Sequence, residues 1–319
     1  MIYSGKSTSD TGDSVMIGSS QFNSKYWDPT YVGYKYNESF SLHEDNGTTG
    51  YTWFTNTSKY DYGTGYTFDE STRKFTLTGD IKQLTWTDNH DEIVNNKLYS
   101  CLNTSCNVVY KVTGYSNATT MIVQPISYSS NSLVDAQTNT TDSPIKTKLD
   151  SWYQNNLTNY TSYLADTTFC NDRSMVSGSG YLTTPSTVYS AYRRIQDNKA
   201  PSLKCSQEND RFKVSSESAK LNYPVGLILA DEVALAGGRT DLANSNYYLY
   251  NGKYFWTLSP SYFYSSDSHA YVWSVVSSGS LRPWDRVTGS NRVRPVINIK
   301  QDVTISKGDG SSINPFVVE

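Results

Sequence analysis

YFWTLSPSYFYSSDSHAYVWSVVSSGSLRPWDRVTGSNRVRPVINI, residues 254–299, decides how this chain is read. Its two ends are regular. WTLSP at 256–260 and VRPVI at 293–297 set apolar residues around prolines, which fix the backbone. Between these ends, residues 261–292 hold no Lys, Glu, Gln or Met, although those four types make up 37 of the 319 residues. What remains is rich in Tyr, Ser, Asp, His, Arg and Asn. Tyr offers a large amphipathic contact area at low entropic cost, and Ser, Asn and Gly offer adaptable hydrogen bonding, so the composition is that of a binding surface. Tyr271, Trp273 and Val275 alternate with Val272, Ser274 and Val276, which predicts a strand with those two sets on opposite faces.

The rest of the chain shares the polar, tyrosine-rich character. Charged residues are 18 % of the sequence, Tyr occurs 27 times, and the net charge is −3. That balance leaves no electrostatic footprint for nucleic acid. No apolar run is long enough to span a membrane. Solubility carried by hydroxyls and amides suits an extracellular protein better than a cytosolic enzyme. The first residues lack a hydrophobic signal core, so the start reads as mature or trimmed, with its signal or anchor missing from this chain. Four cysteines, Cys101, Cys106, Cys170 and Cys205, allow three pairings. The short spacing of the first two favours a small loop-closing bridge, with Cys170 and Cys205 as a longer staple, and disulfides imply an oxidising compartment. With no CxxC and only three His, no zinc site is expected. Sequons at Asn37, Asn56, Asn117, Asn139 and Asn156 follow from an Asn- and Thr-rich composition.

Working outward, residues 1–65 read as an irregular, β-rich lead-in and 66–319 as one larger domain. Tyr66–Phe68 with Lys74–Leu77, and Val108–Val112 with Thr120–Val123, read as hairpins. Ser143-Pro144 is a helix start, with an N-cap residue followed by proline at the first helical position, and Ile145, Leu149 and Trp152 recur on one face. A continuation to Leu164 and a helical stretch at 189–194 are further candidates. Residues 225–229, VGLIL, read as a buried strand leading into a short helix at 230–236 that stops at Gly237-Gly238. Gly308-Asp-Gly310 reads as a tight turn. The expected class is α+β, with few helices and many short strands.

VGLILADEVALAGG (225–238), FWTLSP (255–260) and VRPVINI (293–299), together with the closing GDGSSINPFVV (308–318), resemble a bacterial surface-domain family. That family has the C-type-lectin fold, in the branch related to formylglycine-generating enzymes, and includes the variable proteins of diversity-generating retroelements. The resemblance implies a rigid scaffold that displays a ligand-binding face near its C-terminus. In diversified members, errors at template adenines rewrite AAY codons, which cannot yield Lys, Glu, Gln, Met or Trp. Residues 261–292 fit that set except for Trp273 and Trp284, which are scaffold under this reading. The candidate ligand-binding positions are Tyr262, Tyr264, Ser266, Asp267, His269, Tyr271, Arg282, Asp285, Arg286, Ser290 and Asn291.

The competing readings are weaker. Ser266, Asp267 and His269 make a superficial triad, but triads are assembled from separate elements rather than from neighbours in sequence. His43-Glu44-Asp45 reads as a solvated turn rather than a metal site. A formylglycine-type oxidase needs a cysteine pair near the C-terminal end, and no cysteine follows Cys205. Calcium-dependent sugar binding needs a Glu-Pro-Asn-like loop, whereas here Gln124-Pro125 is followed by Ile126, and Asp309 lacks the spacing of a calcium loop. The expectation is therefore a non-enzymatic protein with no cofactor, no metal site and no nucleic-acid partner. It would bind a protein or glycan ligand on another cell, phage or host surface. The alternative is a structural tip subunit of a surface appendage or phage fibre, which would oligomerise alone.

Overall fold

The computed structural model describes residues 1–4, 12–26, 29–37, 66–69, 74–77, 99–101, 108–117, 120–127, 132–181, 185–240, 242–267, 269–309, 314 and 317–318. The chain divides into two units, Met1–Glu38 with Ala136–Glu319, and Ser39–Asp135. The class is mixed α+β with few helices and several antiparallel sheets. The division differs from the expected one. The first 38 residues, read as part of a lead-in because they lack periodicity, supply Phe22, Tyr31, Tyr34 and Tyr36 to the core of the C-terminal unit. Irregular backbone hides such anchors from any search for a repeat of 2 or 3.6.

Ser39–Asp135 carries a five-stranded antiparallel sheet. Tyr66–Asp69 pairs with Lys74–Leu77, and Val108–Asn117 with Thr120–Ser127, as both hairpin readings expected. Tyr99–Cys101 pairs with Val108–Asn117, and Lys74–Leu77 with Thr120–Ser127.

In the other unit the main sheet has seven strands. They are β1 (Ser19–Ser20), β2 (Met175–Ser177), β3 (Thr187–Tyr189), β4 (Phe255–Tyr264), β5 (His269–Val275), β6 (Leu281–Arg286) and β7 (Asn291–Arg292). The long strand β4 is its centre. One edge of β4 meets β7 in parallel at Phe255–Arg292 and β3 antiparallel at Thr187–Phe263. Its other edge forms the β4–β5 hairpin, and β5 pairs on with β6. The predicted alternation of β5 holds. Ala270 and Val272 join one core, shared with Trp256, Leu258 and Phe263, while Trp273 and Val275 join a second core with Phe255, Val233 and Leu249.

Helix α1 (Pro144–Asn156) starts where the sequence placed it. Ser143 has extended backbone and its side chain accepts from Lys146 N at 3.4 Å. Ile145, Leu149 and Tyr153 are its buried apolar residues, so the stripe runs 145, 149, 153. Trp152, one position off that stripe, is partly buried and meets Tyr3 edge-on at 5.5 Å. The chain continues as a 3-10 turn over Thr158–Tyr163. Residues 190–197 are helical, as a short α turn followed by a π turn. Helix α2 (Ala230–Leu235) ends at Gly237, whose φ of +113° ends the helix at little cost only for glycine.

Residues 225–229 do not form the expected strand. They are mostly buried, but make one isolated bridge, Gly226–Val296, and Ile228 O accepts from Leu258 N at 2.9 Å. An apolar run alone does not say where its backbone partners lie. At 308–310, Gly308 has φ +91° and Asp309 N donates to Asn314 O at 3.0 Å; Gly310 lies outside the described residues.

Cys170 and Cys205 form the expected long staple, with Cα atoms 5.9 Å apart across a separation of 35 residues. The other expected bridge involves Cys106, which lies outside the described residues, as does the 43–45 turn. No helix among the described residues is long and apolar enough to cross a membrane.

Buried polar groups fix the frame. Asn171 takes Tyr34 N on its Oδ1 at 2.9 Å and donates to Leu258 O at 2.8 Å, tying the N-terminal segment to β4. Arg173 and Asp210 are fully buried and paired at 2.6 Å. The same guanidinium donates to Lys35 O, Gln137 O and the Asn139 side chain. Lys35–Tyr36 pairs with Thr141–Asp142, so Arg173 clasps the chain on both sides of the excursion through 39–135.

Candidate functional site

The β4–β5 hairpin changes character along its length, and proline is the reason. Register shifts fall on either side of Pro260, which has no N–H to give to the ladder. Before it, Trp256 and Leu258 point into the first core; after it, Phe263 does. The even-to-odd change means that one side-chain parity has been swapped, as a bulge does. Tyr262 and Tyr264 therefore emerge on the face opposite Phe263, with Tyr262 directly across from Tyr271. Three hydroxyls secure this stretch. Thr257 Oγ1 donates to Trp273 O at 2.8 Å, Ser259 Oγ accepts from Ala230 N at the start of α2 at 3.0 Å, and Ser261 Oγ donates to Pro283 O at 2.5 Å.

On that face lies a concavity of about 610 Å³ lined by Tyr264, Ser266, Asp267, Tyr271, Arg282, Trp284, Asp285 and Arg286. β4 supplies Tyr264, the turn after it Ser266 and Asp267, β5 supplies Tyr271, and β6 the remaining four. β6 follows a turn at Gly279, whose φ is +81° and where any Cβ would sit 1.8 Å from Asn244 O. Only glycine fits there.

The walls are aromatic. Trp284 meets Tyr262 at 5.1 Å, Tyr192 at 5.5 Å, Tyr271 at 6.2 Å and Tyr264 at 6.4 Å between ring centroids. Several of these contacts are edge-on, the favourable arrangement of ring quadrupoles, and they hold the indole while leaving it 39 % exposed.

The polar groups come as two acid–guanidinium pairs. Asp267 Oδ2 accepts from Tyr271 OH at 2.5 Å and from Arg286 Nη2 at 3.2 Å. Its Oδ1 is buried without a hydrogen-bond partner among the described residues. Asp285 accepts from Ser274 Oγ and from Asn291 Nδ2, the latter at 3.3 Å, and its Oδ1 lies 3.5 Å from Arg282 Nε. Burial and the bond to Asp267 push the Tyr271 phenol above its ordinary value, and burial beside Tyr264 does the same for Tyr262. Both stay neutral donors at physiological pH. Arg286 is raised chiefly by its contact with the Tyr271 oxygen, and so stays charged.

Seven of the eleven sequence-chosen positions thus share one concavity. Tyr262 stands behind it in the aromatic wall, and Asn291 reaches it through Asp285. His269 faces another neighbour: its ring stacks on Tyr26 at 4.2 Å and its Nδ1 donates to the Asp267 carbonyl. Ser290 is exposed just before β7, apart from the lining. The two tryptophans assigned to the scaffold divide. Trp273 is fully buried, but Trp284 lines the concavity, a correction to the scaffold reading. Its position was legible: in LRPWDR the two arginines already chosen, 282 and 286, bracket 284 on the same side of a strand. Tyr192 was not legible, because it arrives from a helical turn some 70 residues earlier in sequence.

The chain matches no family model, no curated protein and no solved structure.

Proposed function

We propose that this chain is an exported ligand-binding protein of the adhesin or receptor type, and that the concavity between β4, β5 and β6 is its recognition site. One observation carries the reading: residues chosen from the sequence, on its composition and the family resemblance together, Tyr264, Ser266, Asp267, Tyr271, Arg282, Asp285 and Arg286, converge with Trp284 on a single concavity. A volume of about 610 Å³ is within the range of ligand pockets, roughly 300–1,000 Å³. Trp and Tyr rings supply contact area, the two guanidiniums supply directional charge-assisted bonds, and Ser and Asn supply an adaptable rim. A buried frame beneath exposed Tyr, Ser and Arg side chains is what the C-type-lectin-like branch that includes retroelement-diversified proteins would present, and it supports that assignment. Trp284 would then be a fixed anchor, since adenine-directed rewriting of AAY codons cannot produce it. The Cys170–Cys205 disulfide supports an oxidising, extracellular setting.

The test pits the full chain against its Tyr264→Ala/Trp284→Ala variant on a printed glycan array and a displayed peptide library. Ligands of either class that are lost by the variant, at unchanged melting temperature, support the reading. Ligands that all survive the double substitution overturn it. Self-assembly of the pure chain in size-exclusion chromatography, with no ligand found, would favour a structural subunit instead. Diversification has its own readout: codons for residues 255–299 sequenced from a natural population should vary at AAY-type positions and stay fixed at Trp273 and Trp284.

A further inference from the structure

Resting on that reading, we infer that the concavity takes a neutral polyhydroxylated ligand, a pyranose unit of a glycan, and holds it without a metal ion. The charge arrangement selects neutrality. Arg286 is paired with Asp267 at 3.2 Å and Arg282 with Asp285 at 3.5 Å, so the lining sums to zero formal charge. An anionic ligand would have to compete with both carboxylates, and a cationic one with both guanidiniums. Sugar hydroxyls do neither, because each donates to a carboxylate while accepting from a guanidinium.

The cation that other sugar sites use to order hydroxyls is replaced here by guanidinium. Each carboxylate is already oriented by donors of this chain, Asp267 by Tyr271 and Arg286, and Asp285 by Ser274, Asn291 and Arg282. With Asp267 Oδ1 alone left without a partner among the described residues, the two carboxylates offer too few open oxygens for a hard cation that needs six or more ligands. Arg282 and Arg286 are about half exposed, so their remaining donors are accessible to a ligand.

Aromatic geometry supplies the other half of sugar recognition. A pyranose has one face of axial C–H groups that packs on a flat π surface. Trp284 and Tyr264 are the exposed large rings of the lining, at 39 % and 42 %, and stand at 82° to one another. Two rings at right angles make a corner that receives a ring-shaped ligand on one wall and its substituents on the other. A peptide docking by backbone pairing would instead use a strand edge, whereas these groups project from strand faces.

The experiment incubates the full-length protein with an array of neutral glycans ending in hexoses or N-acetylhexosamines and their sialylated and sulfated counterparts. It runs with EDTA and with added calcium, and affinities of hits are measured by isothermal titration calorimetry, which needs no site tryptophan as reporter. Neutral glycans should bind equally in EDTA and calcium. Trp284→Ala should weaken them by at least about tenfold, and Trp284→Phe, which keeps a stacking surface, by only about threefold. Asp267→Asn, which keeps the shape and an acceptor, should weaken them less than Asp267→Ala. Binding restricted to sialylated or sulfated glycans, or abolished by EDTA, overturns the proposal. If only displayed peptides depend on Trp284, the recognition site stands and the glycan assignment falls. If neither peptides nor glycans depend on it, both fall.

Discussion

One hairpin contains both a foundation and a working surface, and the boundary between them is Pro260. Up to it, β4 is buried on both faces, and the hydroxyls of Thr257 and Ser259, with that of Ser261 just past it, are each spent on a carbonyl or amide of the protein. Beyond it, hydroxyls, guanidiniums and rings are held from one side and left open on the other. The residue types overlap, since Ser and Phe occur on both sides of Pro260. What separates structure from recognition is whether a side chain's bonding capacity is exhausted within the fold.

The sharpest test exploits the two tryptophans of this segment. Trp273 is fully buried, so Trp273→Ala should cost about 3–5 kcal/mol of unfolding free energy. Trp284→Ala, on the open side, should cost about 1 kcal/mol or less while removing most ligand affinity. Chemical denaturation of the two variants decides this. Equal destabilisation would erase the distinction between foundation and surface. The indole Nε1 of Trp273 is buried without a partner among the described residues, so Trp273→Phe should be tolerated far better than Trp273→Ala.

Next in size is the disulfide. A bridge between Cys170 and Cys205 closes a loop of 35 residues, for which chain entropy predicts about 4 kcal/mol. The double Cys→Ala variant should therefore unfold at markedly lower denaturant concentration. Cys170 lies in a strand pair remote in sequence from β4 and β5, and ligand affinity measured well below the new midpoint should be unchanged. A parallel loss of affinity would mean that the site depends on the frame more than its contacts indicate.

A subtler comparison uses hydroxyls. Thr257→Val keeps the volume but leaves Trp273 O without its 2.8 Å donor, at a cost of about 1–3 kcal/mol. Ser266→Ala on the lining should change stability by less than about 0.5 kcal/mol. Thermal melts of the pair suffice, and a reversed order would sink the idea that bonding capacity separates the two ends.

Sequence legibility follows the same division. Helix α1 was readable because Ser143-Pro144 and a 3.6-residue stripe act locally, and the alternation of β5 was readable because both faces are apolar for one core or the other. The recognition window was readable from composition, since a surface built for contact departs from ordinary usage over a contiguous stretch, whereas the positions within it were chosen on the family resemblance. What escaped is long-range or irregular. The Tyr31 and Tyr34 anchors sit in segments with no period, the 225–229 run takes its partners from 258 and 296, and Tyr192 reaches Trp284 only through the tertiary fold. The bulge at Pro260 lies between. Proline in a central strand signals a break, but only the register showed that the break turns Tyr262 and Tyr264 outward.

The smallest expected effects concern tyrosine ionisation, and they separate the two regions once more. Tyr247, in the second core, donates to Gly279 O at 2.8 Å, and burial lifts its phenol to about 12. The folded state thus keeps a proton that the unfolded chain releases near pH 10, so this contribution is intact below pH 10 and drains away as pH rises towards 12. Tyr247→Phe should lower stability at neutral pH by about 1 kcal/mol and flatten the alkaline decline. Tyr271 is raised for a partly different reason, burial joined by its bond to Asp267, and it faces the open concavity. Tyr271→Phe should barely alter stability at pH 7, because Asp267 keeps Arg286 as a partner. It should instead free Arg286 and Asp267 to reorient, which appears as weaker ligand binding with little change in the alkaline melting curve. If Tyr271→Phe flattened that curve as strongly as Tyr247→Phe, the concavity would belong to the foundation, and the boundary drawn at Pro260 would be in the wrong place.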